Sequence, residues 1–263
     1  MGPNSVDVFS YHFYGNVSER CSSGMGGKAG TTPEAALTED WLSKSDTVEE
    51  FYAGLRDTYA PAKPMWLTET GQTACGGDRW ASAFLDSFRY LDQLGTLARL
   101  HVQVVMHNTL AASDYGLIDE KTLIPRPNYW AALLWHNTMG STVLDPGESP
   151  TKTTHLYAQC MKDHPGGVTL LALNLSRADR QTLKLPADAR RYTLTASPLM
   201  DQSIQSDVLM SHSVLLNGKE LTLSANGDVP VPASIAAPKG EITFPAASIT
   251  FLTFAEANNP ACK

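Results

Sequence analysis

Three strand-like runs, each followed by a loop and a helical run, occupy the first half of this chain and restrict its fold more than any other feature. The first, "VDVFSYHFY" (6–14), is rich in β-branched and aromatic residues. After the Gly/Ser-rich "CSSGMGGKAGTTPE" comes the helical "SDTVEEFYAGLRDTYA" (45–60), with Ser45 as expected N-cap and Glu49 and Glu50 in its early turns. "PMWLTET" (64–70) is the second strand, and the run after its loop, 79–100, carries Trp80, Phe84, Leu85, Phe88, Leu91 and Leu94 at helical spacing. "HVQVVMHNTL" (101–110) and "NYWAALLWHNTMG" (128–140), with Gly140 as expected C-cap, complete the third unit. Three such units in succession predict a parallel sheet covered by helices.

After "STVLDPGESP" (141–150) the pattern changes. "THLYAQC", "GVTLLALNLS", "QTLKLP", "RYTLTASPL", "SVLLNGKELTL" and "ASITFLTFA" read as short strands divided by Pro, Gly and Asn turns, with a hairpin signal at Asn217-Gly218. That predicts an antiparallel β-sandwich. The expected fold class is therefore α/β plus all-β in two domains, 1–145 and 146–263. A complete (β/α)₈ barrel takes about 250 residues. Roughly 145 precede the sandwich and hold only three units, so the parallel half reads as part of a barrel.

Charge and cysteine usage exclude several function classes. A formal charge of −7 argues against general nucleic-acid binding, which needs a basic face to displace counterions. The longest apolar runs are far too short to span a bilayer. Cys21, Cys75, Cys160 and Cys262 form no CxxC pair, and their wide spacing suits disulfides in an oxidising compartment. His155, Cys160 and His164 match no tetrahedral site pattern, and neither a metal nor a cofactor is expected. "MGPNSVDVFSYHFYG" opens directly into strand-like sequence, without a signal peptide.

In a parallel α/β barrel, residues at the C-terminal ends of strands and in the following loops face the substrate. Glu69 closes "MWLTET"; His12 and Tyr14 close the strand before it, Asn108 the strand after, and Tyr115 lies in "SDYGLID". Several polar groups are thus expected on one rim, whereas a lone glutamate there reads as a solvated loop residue.

These residues carry a resemblance. "VDVFSYHFYG", "WLTETGQTACGG", "RWASAFLDSFRYLDQLG", "VQVVMHNTLAASDYGLID" and "PRPNYWAALLWHNTMGSTVL" resemble, in order and spacing, the latter part of glycoside hydrolase family 79, the heparanase and β-glucuronidase family. The resemblance implies the C-terminal portion, about strands six to eight, of a (β/α)₈ barrel followed by a β-sandwich. It implies retaining hydrolysis of glycans and glycosides with β-linked glucuronic acid. Glu69 is then the nucleophile, with His12 and Tyr14 beside it to support its ionised form. The backbone amides of Cys75, Gly76 and Gly77, together with Tyr115, are implied to hold the uronate carboxylate, and Asn108 to line the substrate site. The same comparison implies disulfides Cys160–Cys262 and Cys21–Cys75.

The family's acid/base glutamate stands in an Asn-Glu context on an earlier strand, and this chain has no Asn-Glu pair. The expectation is a fragment that needs the N-terminal half of the barrel, as a missing segment or a companion chain, and is inactive alone. The localisation that follows is secreted, periplasmic or lysosome-like, with the signal peptide outside this chain. Dispersed basic residues and negative net charge favour exo action, or a weakly charged polymer such as hyaluronan, over a highly sulfated chain. Two alternatives are a non-catalytic carbohydrate-binding or structural sandwich with a vestigial barrel remnant, and a related hydrolase of neutral sugars.

Overall fold

The computed structural model describes residues 6–25, 30–198 and 207–263, with 23–25 described by backbone alone. Leu199 of "RYTLTASPL" and residues 26–29 of the Gly/Ser-rich loop lie outside the described residues.

The chain divides into two compact units, 1–82 with 89–123, and 83–88 with 124–263. The first is built on strands β1 (Phe9–Tyr14), β2 (Met65–Gly71) and β3 (Val102–His107), which run parallel in the order β1-β2-β3. Helices α1 (Glu39–Leu42) and α2 (Lys44–Tyr59) connect β1 to β2, and α3 (Phe84–Arg99) lies between β2 and β3. Tyr11, Met65, Leu67, Leu97 and Val102 form the buried core, with Val48, Tyr52 and Ala53 of α2 packed against it. Burying a large apolar side chain contributes about 1.5–3 kcal/mol. The Tyr11 and Tyr52 rings stack at 4.7 Å, and burial, then the nearby Glu49 charge, pushes the Tyr11 hydroxyl well above its ordinary pKa.

The N-cap of α2 is Ser43, two residues before the expected Ser45. Ser43 continues the helical backbone of α1, and its hydroxyl donates to the Glu39 carbonyl instead of capping. Ser45 is buried and accepts a hydrogen bond from Gln93 Nε2 at 3.2 Å.

The second unit begins its main run with α4 (Pro127–Thr138), whose proline at the first position presets helical φ. It continues through β4 (Met139–Leu144), β5 (Thr154–Met161), β6 (Val168–Asn174), β7 (Gln181–Leu185) and β8 (Ala189–Ala196). Beyond residue 207 follow β9 (Val214–Leu216), β10 (Lys219–Glu220), β11 (Ile235–Ala237), β12 (Gly240–Phe244) and β13 (Ser248–Phe254). One sheet has the order β10-β9-β8-β13-β6-β5-β4, with β11 on β8, and its pairs are antiparallel; β12 and β7 form a second, two-stranded sheet. Leu156, Ala172, Leu252 and Phe254 of the large sheet and Leu185, Ile242 and Phe244 of the small one share a buried core.

Sequence and structure differ at β4. Gly140 was expected to cap the helix, but α4 ends at Thr138 and Gly140 belongs to β4. A Cβ on Gly140 would lie 2.6 Å from the Cys160 carbonyl oxygen, so glycine is what lets β4 approach β5. Because β4 pairs with β5 and α4 packs against β13, both group with the antiparallel sheets although they precede residue 146. The Asn217-Gly218 turn forms as the sequence indicates, with φ of 51° and 83°.

Both expected disulfides form, Cys21–Cys75 with Cα atoms 6.3 Å apart and Cys160–Cys262 at 5.3 Å. Cys160 is thereby removed from any metal set with His155 and His164. Asn174 is 1% exposed and donates to the carbonyls of Asp179 and Pro245, which ties the end of β6 to two neighbouring loops.

Candidate active site

Glu69 reaches its position through an irregularity in strand pairing. The β1–β2 register runs Tyr11↔Leu67 and then His12↔Glu69, so β2 carries one extra residue at Thr68. Such a bulge re-aims the side chains that follow it. Here it sets His12 opposite Glu69, with Nδ1 3.5 Å from Oε2 and the side chains 59% and 41% exposed. Behind the strand, Thr70 donates to Gln93 Oε1 at 3.3 Å and Arg89 to the same oxygen at 3.2 Å, which fixes the end of β2 from its buried side.

A chain of hydrogen bonds runs outward from Glu69. Tyr14 donates its hydroxyl to Glu69 Oε1 at 2.9 Å, and Asn108 Nδ2 donates to the Tyr14 oxygen at 2.8 Å and to the Tyr115 oxygen at 3.3 Å. With Asn108 filling the oxygen's acceptor side, the Tyr14 proton points at the carboxylate. Burial raises the Tyr14 pKa most; the Asn108 hydrogen bond lowers it and the one to Glu69 raises it, for a net upward shift. Tyr14 therefore remains a donor at any ordinary pH. Asn108, expected to line the substrate site, ties the two tyrosines together through its Nδ2.

Gly71 makes room for both rings, since a Cβ there would meet Tyr14 and Tyr115 carbons at 3.0 Å. Tyr115 is also held from behind, where His107 Nε2 lies 2.7 Å from its carbonyl oxygen.

The loop after β2 turns through three consecutive positive-φ residues, Cys75 (68°), Gly76 (86°) and Gly77 (80°). Backbone N–H groups left open in a tight turn are of the kind that can line an anion-binding concavity. Gly77 donates its amide to the Thr73 carbonyl at 3.2 Å, whereas the amides of Cys75 and Gly76 donate to no acceptor among the described residues. Of the three amides expected to hold a carboxylate, that of Gly77 is thus engaged in the turn, and Gly77 packs against Tyr115, whose ring carbon a Cβ there would meet at 3.1 Å.

Sequence reading missed the groups that hold this loop. Gln72 Nε2 donates to Asp78 Oδ2 at 3.2 Å and Gln72 Oε1 accepts from the Asp78 amide at 2.8 Å, a buried knot closing the loop's ends. The Glu19 amide donates to Asp78 Oδ1 at 2.8 Å, and Ser18 donates to the Cys75 carbonyl at 3.0 Å. Only Asp78, directly after the two glycines, offered a sequence cue.

Comparison with known proteins places this geometry in context. No family model matches the chain. Heparanase-like protein 1 of Arabidopsis thaliana is 31% identical over 259 residues, covering 87% of this chain and 46% of that protein. Hyaluronoglucuronidase of Hirudo nipponia is 31% identical over 273 residues, covering 97% and 51%. The solved 4-O-α-L-rhamnosyl-β-D-glucuronidase of Fusarium oxysporum superposes with a TM-score of 0.62 at 15% identity, covering 96% of this chain and 54% of that one. These relatives and the superposed enzyme are glycoside hydrolases. Its relatives are heparanases and glucuronidases of glycoside hydrolase family 79, which it matches over most of its own length. The chain spans about half the length of the curated relatives it matches.

The two disulfides fit an extracellular or otherwise oxidising compartment. Among the described residues no helix is long and apolar enough to cross a membrane.

Proposed function

We propose that the intact protein carrying this chain is a retaining β-glucuronidase acting on glycans or glycosides with β-linked uronic acid. The supporting observation is the line Glu69–Tyr14–Asn108–Tyr115, which joins a rim carboxylate to the loop cluster that holds two unengaged amides. In this reading Glu69 attacks the anomeric carbon and expels the leaving oxygen, forming a glycosyl-enzyme that water then hydrolyses. His12 and Tyr14 orient the nucleophile, and the Cys75 and Gly76 amides with the Tyr115 hydroxyl hold the uronate carboxylate.

A retaining mechanism needs a second carboxyl group about 5–5.5 Å away to protonate the leaving oxygen and later activate water. The partners of Glu69 here are a tyrosine and a histidine, and the chain contains no Asn-Glu pair. We assign the acid/base to a segment outside this chain, which completes a (β/α)₈ barrel around β1, β2 and β3 as strands six to eight; the antiparallel sheets form the attached sandwich. The compartment in this reading is secreted, periplasmic or lysosome-like, and the net charge of −7 favours exo action or hyaluronan over a highly sulfated polymer.

The test is labelling by a cyclophellitol-type uronate, a mechanism-based reagent for retaining glucuronidases. Ester formation at Glu69 in the intact protein is the expected result, and labelling elsewhere would sink the assignment. The 263-residue chain by itself is expected not to hydrolyse an aryl β-glucuronide.

A further inference from the structure

We propose that the Arg20–Asp114 ion pair is a positioning device that sets selectivity for an anionic sugar, acting through the carboxylate cradle; this rests on the glucuronidase reading. The pair joins residues 94 apart in sequence, Arg20 Nη2 meeting Asp114 Oδ2. Arg20 Nη1 lies directly over Gly76, 2.9 Å from where a Cβ would stand, and Ser113 Oγ is 3.2 Å from the same point. The Asp114 amide donates to the Gly76 carbonyl at 2.9 Å. Arg20 is followed by Cys21, which is bonded to Cys75, and Asp114 is followed by Tyr115.

One ion pair is thus tied to both sides of the cradle. By holding the Gly76 carbonyl, Asp114 fixes the peptide plane beside the two unengaged amides, and its chain neighbour is Tyr115, which packs on Gly77. Arg20 holds Asp114 in that place and performs an electrostatic task as well. A bare Asp114 carboxylate beside an anion site would repel a uronate; its guanidinium partner cancels that charge. A neutral sugar has no carboxylate to lose by misplacement of the cradle, so disturbance of the pair is felt by the uronide and hardly by the glucoside.

The experiment uses the intact protein with paired aryl β-glucuronide and aryl β-glucoside substrates. Arg20→Gln is expected to lower kcat/KM for the glucuronide about tenfold, through KM, while changing the glucoside value less than about threefold. Arg20→Lys, which keeps the charge without the planar fork, should fall between wild type and Arg20→Gln. Adding Asp114→Asn to Arg20→Gln should restore part of the loss by removing the charge that Arg20 no longer offsets. Equal losses on both sugars, or no loss on either, would overturn the inference. If the glucoside is too slow to measure, the glucuronide alone decides, because a fall in kcat at unchanged KM contradicts a role in holding the carboxylate. A wild-type protein that hydrolyses neither sugar removes the glucuronidase reading itself, and this inference with it.

Discussion

The three-stranded parallel sheet and the large antiparallel sheet treat their strands differently. β13 is buried at all seven positions, with Ile249 and Phe251 on one face and Leu252 and Phe254 on alternate sites. β1 and β3 bury one residue each, Tyr11 and Val102, and Met106 of β3 is 43% exposed. A central strand covered on both faces can carry the cohesion of its unit. The parallel strands instead present polar groups at their C-terminal ends, where Glu69, His12 and Asn108 stand. Stability is concentrated in one unit and the candidate chemistry in the other.

The strongest way to break this comparison is to separate activity from folding at Glu69. Glu69→Gln is expected to abolish hydrolysis by the intact protein, by on the order of 10⁴-fold, with its melting temperature unchanged. A parallel loss of stability would show that the carboxylate also holds the sheet together. On the antiparallel side, Cys160→Ser with Cys262→Ser opens a link of sequence separation 102. Chain-entropy reasoning puts the loss at about 4.7 kcal/mol, read as a lower denaturation midpoint.

Side-chain truncation sharpens the contrast further. Phe251, fully buried, should cost about 3–5 kcal/mol as Phe251→Ala, whereas Met106→Ala should cost under about 1 kcal/mol. Equal costs by urea titration would mean that Met106 is covered in solution.

The smallest effect is spectroscopic. Burial pushes Tyr90 up to about 12 and holds Tyr11 and Tyr14 higher still. A raised acid pKa contributes stability that is complete below the unfolded value, about 10, and declines as pH rises toward the folded value. Tyr11, Tyr14 and Tyr90 should thus resist ionisation at pH 11 in an ultraviolet titration, and their titration near 10 would contradict the burial described.

Local signals carried much of this into the sequence. The apolar spacing of α3, the Asn217-Gly218 hairpin and the strand that carries Glu69 are each written in a few neighbouring residues. What stayed hidden depends on distant partners. The extra residue at Thr68 exists only relative to β1. Gly140 looks like a helix cap because nothing nearby reveals the Cys160 carbonyl that requires it. β11 and β12 are short and set among prolines and alanines, so "IAA" and "GEITF" lack a strand's usual length signal. Arg20 and Asp114 are ordinary charged loop residues until the fold brings them together.

The two unengaged amides of Cys75 and Gly76 carry one further consequence. Unlike a lysine or histidine, a peptide N–H neither gains nor loses a proton over the range in which proteins stay folded. In the proposed reading, a uronate would rest on two donors that do not titrate, so acid would leave their hydrogen-bonding capacity unchanged.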